Sequence, residues 1–168
     1  MSKIHKNILS ADSLKNIQSI FMGKNNQVPW LLEQEIAYKG DKGICFQSNI
    51  YQNNEVVNPG LYKVIFPLFN FLEKTDLCPL IIHRAKANMY LKTPILEEHG
   101  SHKDYENTKK MVKGFVFMIN SNDGFTRIGN TKAFSIENTG VIFNSCMPHN
   151  STGCTNQEFR LTININYY

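Results

Sequence analysis

A chain of 168 residues that is 42% hydrophobic holds enough apolar side chain for the core of one ordinary domain and is short for two. Its formal net charge of +4 is spread thinly (Lys3, Lys6, Lys15, Lys24, Lys39, Lys42, Lys63, Lys74 and onward), so no basic stripe marks a nucleic-acid surface. No apolar run nears the roughly 20 residues that span a bilayer, and no secretory-type apolar segment opens the chain. The cysteines Cys45, Cys78, Cys146 and Cys154 include no C-x-x-C pair, which reads as a cytoplasmic protein with reduced thiols.

In chain order, the start around His5 shows no pattern and is expected to be unstructured. Ser10 or Asp12 then caps a helix through Ile20, with Leu14, Ile17, Ile20 and Phe21 on one face and Gly23 as the stop. From Lys24 to Asn58 the Gly, Asn and Lys clusters predict short strands joined by loops. Asn58 as N-cap and Pro59 at the first helical position introduce a second helix. Its buried stripe is Leu61, Val64, Ile65, Leu68, Phe69 and Leu72, ending before Cys78-Pro79. Pro67 is expected to kink or divide it.

After Leu80 the period changes to two. Ile81, Ala85, Ala87, Met89 and Leu91 make one face of a strand, and Arg84, Lys86, Asn88 and Tyr90 the other, more polar than a plain core tolerates. Val112 to Asn120 is an apolar strand, Asn122-Asp123-Gly124 a turn, and Gly140 to Asn144 another strand after the Asn138-Thr139-Gly140 turn. In the last strand Phe159, Leu161, Ile163, Ile165 and Tyr167 face one way, and Arg160, Thr162, Asn164 and Asn166 the other. Helices followed by many antiparallel strands make an α+β order, with the helices packed on one side of a sheet.

His102-Lys103-Asp104 and His149 carry the chemistry. On a strand, residues i and i+2 share a face, so His102 and Asp104 can grip one ion while His149 closes a third position. Two imidazoles and a carboxylate suit non-haem Fe(II) with coordination positions left open. An H-x-D by itself is more often an exposed strand-end histidine beside a turn aspartate. Arg160 follows His149 by 11 residues on the polar face of the last strand, where a guanidinium can hold a carboxylate through two parallel hydrogen bonds.

The stretches HRAKANMYLKTP, HGSHKDYEN, KGFVFMINSNDGFTRI, ENTGVIFNSCMPHNST and EFRLTININYY, in that order, resemble the 2-oxoglutarate/Fe(II)-dependent oxygenases, above all small prolyl 4-hydroxylase-like members of bacteria and bacteriophages. The likeness covers roughly the last 90 residues and is loose before them. It implies a double-stranded β-helix (jelly-roll) in a single domain over 1–168, with N-terminal support to about 78 and the metal-binding core from about 79. It implies Fe(II) on His102, Asp104 and His149, and 2-oxoglutarate and O2 as co-substrates, with ascorbate as a reductant. The C5 carboxylate of 2-oxoglutarate would lie on Arg160 and Thr162, with Tyr90, Asn88 and Thr126 nearby. The implied reaction is hydroxylation of a peptidyl proline with release of succinate and CO2, in the host cytoplasm if the chain is phage-encoded. Many prolyl 4-hydroxylases carry Lys where Arg160 stands.

Other readings stay open. Cys146-x-x-His149 permits zinc, though no second close pair accompanies it. A non-catalytic jelly-roll binding module, or hydroxylation of a free amino acid or other small molecule, fits the same fold. Arg84 and Lys86 can meet substrate or solvent, and so can the cluster Lys103, Lys109, Lys110 and Lys113. Substrate-covering loops are expected around 39–54 and 101–113. His83 reads as structural or exposed. His99-x-x-His102 could pass for a metal pair, but i and i+3 diverge on a strand and Gly100-Ser101 suggests a loop.

Overall fold

The computed structural model describes residues 2–24, 28–37, 41, 43–76, 80–105 and 112–168. In chain order they form β1 (Lys3–Lys6), α1 (Ala11–Met22), β2 (Leu31–Glu33), β3 (Cys45–Gln52), β4 (Glu55–Val56), α2 (Pro59–Asp76), β5 (Ile82–Leu91), β6 (Lys113–Met118), β7 (Phe125–Ile128), β8 (Thr131–Phe134), β9 (Thr139–Asn144), β10 (His149–Ser151) and β11 (Phe159–Tyr167). The helix starts are those the caps predict: the Ser10 hydroxyl accepts from the Ser13 amide, and the Asn58 side chain accepts from the Leu61 amide. Pro67 does not divide α2, which continues through it over 18 residues. An internal proline costs about 3 kcal/mol or more. Burial of Leu61, Ile65, Leu68, Phe69 and Leu72 on one stripe offsets that, at about 1.5–3 kcal/mol for each fully buried apolar side chain.

The strands make a large antiparallel sheet in the order β1-β9-β6-β11-β5-β3-β2, with β4 on β3, and a small one in the order β10-β7-β8. One face of the large sheet (Ala85, Ala87, Phe115, Phe117, Leu161, Ile163, Ile165) packs on Ile17 and Phe21 of α1 and on the α2 stripe. The opposite face meets the small sheet through Val116, Met118, Val141 and Phe143 against Ile128 and Ala133. Two facing sheets with helices covering the back of the larger one make a jelly-roll, the α+β arrangement expected. Ile81 and Leu91, assigned to the apolar face, lie beyond the helices' cover and are 60% and 46% exposed. Among the described residues no helix is long and apolar enough to cross a membrane.

Two local expectations change. The start of the chain is a strand: β1 pairs with β9, and the His5 ring meets Phe71 edge-on at 5.3 Å. Its sequence KIHK holds a single aliphatic residue, Ile4, and so shows no alternation. The short strands expected over 24–58 are β2, β3 and β4, so residues 45–52, also placed in a covering loop over 39–54, form β3 alongside β5. Cys78, Lys109 and Lys110 lie outside the described residues, while Lys113 pairs with Asp76 at 2.8 Å.

Candidate metal centre and its cavity

β5 and β11 pair so that Arg160 lies opposite Tyr90, Thr162 opposite Asn88, Asn164 opposite Lys86 and Asn166 opposite Arg84. Strand alternation sends these side chains away from the helices, towards the small sheet. Of these, Lys86, Asn88, Tyr90, Arg160, Thr162 and Asn164 floor a cleft that is closed from the other side by His102, Asp104, Thr126 and His149. The polar faces read from the two strands are thus one surface.

His102 and Asp104 do not sit on a regular strand. A single bridge holds them: the His102 amide donates to the His149 carbonyl at 3.0 Å, the His149 amide to the His102 carbonyl at 2.9 Å, and the Asp104 amide to the Ser145 carbonyl at 3.0 Å. This sets the two imidazoles 4.4 Å apart, with His102 Nε2 3.9 Å and His149 Nε2 3.8 Å from the Asp104 carboxylate oxygens. One ligand atom from each of the three residues lies within 4.8 Å of the others, and among the described residues no other His/Cys/Asp/Glu group is so arranged. Bonds of about 2.1 Å to a shared ion leave ligand atoms up to about 4.2 Å apart, so little movement closes the three on one ion. Neither Cys146 nor Cys154 joins them, which removes the support for a zinc site built on Cys146-x-x-His149.

The surroundings prepare each group for a cation. His149 Nδ1–H donates to the Met147 carbonyl at 3.0 Å, which leaves the Nε2 lone pair facing the cleft. Burial, and then the neighbouring His149, push the His102 pKa below its ordinary value, favouring the neutral, ligating form. Burial on its own would raise Asp104. Arg84 Nη2, donating to Oδ1 at 3.0 Å, and Asn166 Nδ2, donating to Oδ2 at 2.9 Å, help outweigh it and hold the carboxyl below its usual range. Asn166 is therefore a site residue that the sequence did not single out, although alternation placed it on the polar face, and Arg84, expected to meet substrate or solvent, holds Asp104 instead.

Arg160 is fully buried. Its Nε donates to Ser135 Oγ at 2.6 Å, Nη1 to the Thr152 carbonyl at 3.0 Å and Nη2 to Thr126 Oγ1 at 2.8 Å, while the guanidinium lies 5.4 Å from the centre of the Tyr90 ring. Burial lowers its pKa to about 10, so it stays charged at neutral pH. Among the described residues no carboxylate pairs with it. A buried cation without a counter-charge is costly, and a ligand carboxylate in the cleft fits it chemically. The guanidinium is not a free fork, because each nitrogen already donates within the protein; a ligand would share it with Thr126 and the Thr152 carbonyl. Ser135 and Thr152 left no mark in the sequence, since neither falls on an alternating strand face.

The remaining expected residues are also in the cleft. Thr162 donates to Asn164 Oδ1 at 3.3 Å, and the buried Asn88 lies one strand pairing from Gln47. Burial pushes the Tyr90 phenol up to about 12, and the ring stacks on His99 at 5.3 Å. His99, driven down to about 4 by burial, contacts Ser151 Oγ at 2.9 Å behind Tyr90 and does not join the metal cluster. His83 lies between the rings of Tyr105 and Tyr168 at 5.2 and 6.1 Å, a structural place.

Gly124 in the Asn122-Asp123-Gly124 turn is required by contact: a Cβ there would lie 2.3 Å from the Gly153 carbonyl and 2.7 Å from Arg160 Cδ. Gly124→Ala is expected to destabilise the fold by about 1–3 kcal/mol and to displace Arg160. Denaturant unfolding checks the first effect, and co-substrate titration the second. Unchanged values in both would show that the turn relaxes freely.

No protein-family model matches this sequence, and no curated protein matches it. Solved structures do. An oxidoreductase of the 2OG-Fe(II) oxygenase family from Burkholderia pseudomallei superposes with a TM-score of 0.73 at 13% identity, covering 99% of this chain and 84% of that one. The chain has the 2OG-Fe(II) oxygenase fold. A prolyl hydroxylase from Trichoplax adhaerens, in complex with a peptide fragment of the hypoxia inducible factor oxygen degradation domain, has a TM-score of 0.68 at 14% identity over 99% of this chain and 83% of that one. HygX from Streptomyces hygroscopicus, with nickel, 2-oxoglutarate and hygromycin B bound, has a TM-score of 0.63 at 10% identity over 99% and 82%. The oxygenase fold thus extends through the first half of the chain, where the sequence resemblance is loose.

Proposed function

We propose that this chain is an Fe(II)- and 2-oxoglutarate-dependent dioxygenase, a single domain that hydroxylates its substrate with release of succinate and CO2. The observation that carries the reading is one cleft holding both the His102, Asp104 and His149 cluster and a buried, charged Arg160 that has no acid partner among the described residues. Iron, when bound, supplies the oxygen chemistry, and the cleft supplies orientation and exclusion of water. The His149 imidazole is aimed by the Met147 carbonyl, and the Asp104 carboxylate is aimed and kept ionised by Arg84 and Asn166. Arg160 takes the distal carboxylate of the co-substrate, with Thr126, Thr162, Asn88 and Tyr90 as its polar walls. Free Cys45, Cys146 and Cys154 suit the reducing cytoplasm.

For the substrate, our first reading is a peptidyl proline. Residues at and before proline favour extended or polyproline II backbone, which can lie in an open cleft at little ordering cost. The peptide bound to the Trichoplax enzyme supports it. A small-molecule substrate is the second reading, favoured by hygromycin B in HygX. Fe(II)-loaded protein, given 2-oxoglutarate and ascorbate, is expected to form succinate faster with proline-containing peptides than with free L-proline. The peptide should gain one oxygen at proline by mass spectrometry. Full coupling to a small molecule, with no oxygen added across a proline peptide library, would replace the prolyl reading and leave the oxygenase class standing.

A further inference from the structure

Lys86 faces the cleft from β5, opposite Asn164 on β11 and Asn49 on β3. Its ammonium donates to Gln47 Oε1 at 3.1 Å, and among the described residues no carboxylate lies within ion-pair distance. An ammonium carries three donors, so this one is under-used. Burial, and then the proximity of Arg84, lower its pKa to about 8, yet the charged form still predominates at neutral pH. Asp104 favours the charge from a distance but makes no ion pair with it, since Arg84 at 3.0 Å and Asn166 at 2.9 Å already engage both carboxylate oxygens.

The cleft therefore presents two cations, Lys86 and Arg160, that pair with no acid among the described residues. They are placed for different partners. Arg160 pairs with Tyr90, four residues along β5 from Lys86, so their backbone levels differ by about 13 Å. Arg160 turns to Ser135, Thr126 and the Thr152 carbonyl, whereas Lys86 reaches to Gln47 on β3. A co-substrate whose distal carboxylate lies on Arg160 and whose other end lies on the metal leaves the Lys86 charge unanswered. A methionine or leucine would fill the same space without the cost of a half-buried charge.

We infer that Lys86 is a specificity-determining residue that binds a carboxylate of the substrate to be oxidised, so that this cleft takes an acidic molecule or peptide in preference to a neutral one. The inference rests on the oxygenase reading above. The probes are N-acetyl-L-proline and its uncharged twin N-acetyl-L-prolinamide. Each is added to the full chain loaded with Mn(II) and 2-oxoglutarate under anaerobic conditions, and binding is read from the Mn(II)-induced broadening of the probe's proton resonances. Wild type is expected to broaden the acid about tenfold more than the amide. Lys86→Met should abolish that preference while 2-oxoglutarate affinity, measured by calorimetry, stays unchanged. Lys86→Gln, which keeps a donor for Gln47 without the charge, should behave as Lys86→Met does and stands in for it if the methionine variant does not fold. Equal broadening of the two probes by wild type, or a preference that survives both substitutions, would overturn the inference. So would 2-oxoglutarate affinity falling with the charge, because Lys86 would then serve the co-substrate. Wild type that binds neither Mn(II) nor 2-oxoglutarate would overturn the oxygenase reading itself, and the inference with it.

Discussion

His149→Ala is expected to abolish stoichiometric binding of Mn(II) or Fe(II), and with it all 2-oxoglutarate turnover, while wild type binds one ion per chain. The imidazole is one of three groups whose ligand atoms lie within 4.8 Å, and it is the best oriented, with Nδ1 fixed on the Met147 carbonyl at 3.0 Å. Its removal leaves His102 and Asp104, too few to hold a divalent cation against water. His102→Ala should act likewise. Asn166→Ala tests the outer shell: it frees one Asp104 oxygen without touching the ligand set and should weaken metal binding by about 10–100-fold. Calorimetry under anaerobic conditions, with circular dichroism to confirm folding, distinguishes the cases. Unit stoichiometry retained in both histidine variants would remove the metal assignment.

Arg160→Ala is expected to weaken 2-oxoglutarate binding by on the order of 30-fold or more, corresponding to roughly 2–5 kcal/mol for truncating one side of a buried charge pair. It should also lower stability, because Ser135, Thr126 and the Thr152 carbonyl all lose a donor from a fully buried group. Arg160→Lys should be milder than alanine and still impaired, since one ammonium cannot reach all three acceptors at the guanidinium's angles. The stability loss needs its own measurement, so unfolding is followed without co-substrate and binding at a temperature where both variants are folded. Equal co-substrate affinity in wild type and Arg160→Ala would make the arginine purely structural.

Local rules sufficed for both helix starts, because Ser10 and Asn58 are caps whose effect lies within one turn. They sufficed too for the two long strands, whose alternation over Ile82–Leu91 and Phe159–Tyr167 separates a helix-facing side from a polar side. The ligand types were legible for the same reason. Imidazole, carboxylate and guanidinium are costly to bury, and their spacing and order suggested one site. What the chain's order left open is decided across long separations. Asp104 meets Asn166 and Arg84, and Arg160 meets Ser135, Thr126 and Thr152, only after β5, β11 and the small sheet come together. The bridge that seats His102 against His149 is likewise a tertiary contact, not a strand that local propensity could announce. β1 is held by pairing with β9, from the far end of the chain. Tertiary packing also made Lys86 a half-buried cation: its neighbours along β5 show only a polar face, whereas the partial burial, and the lack of an acid partner among the described residues, come from β3, β11 and the cleft above them.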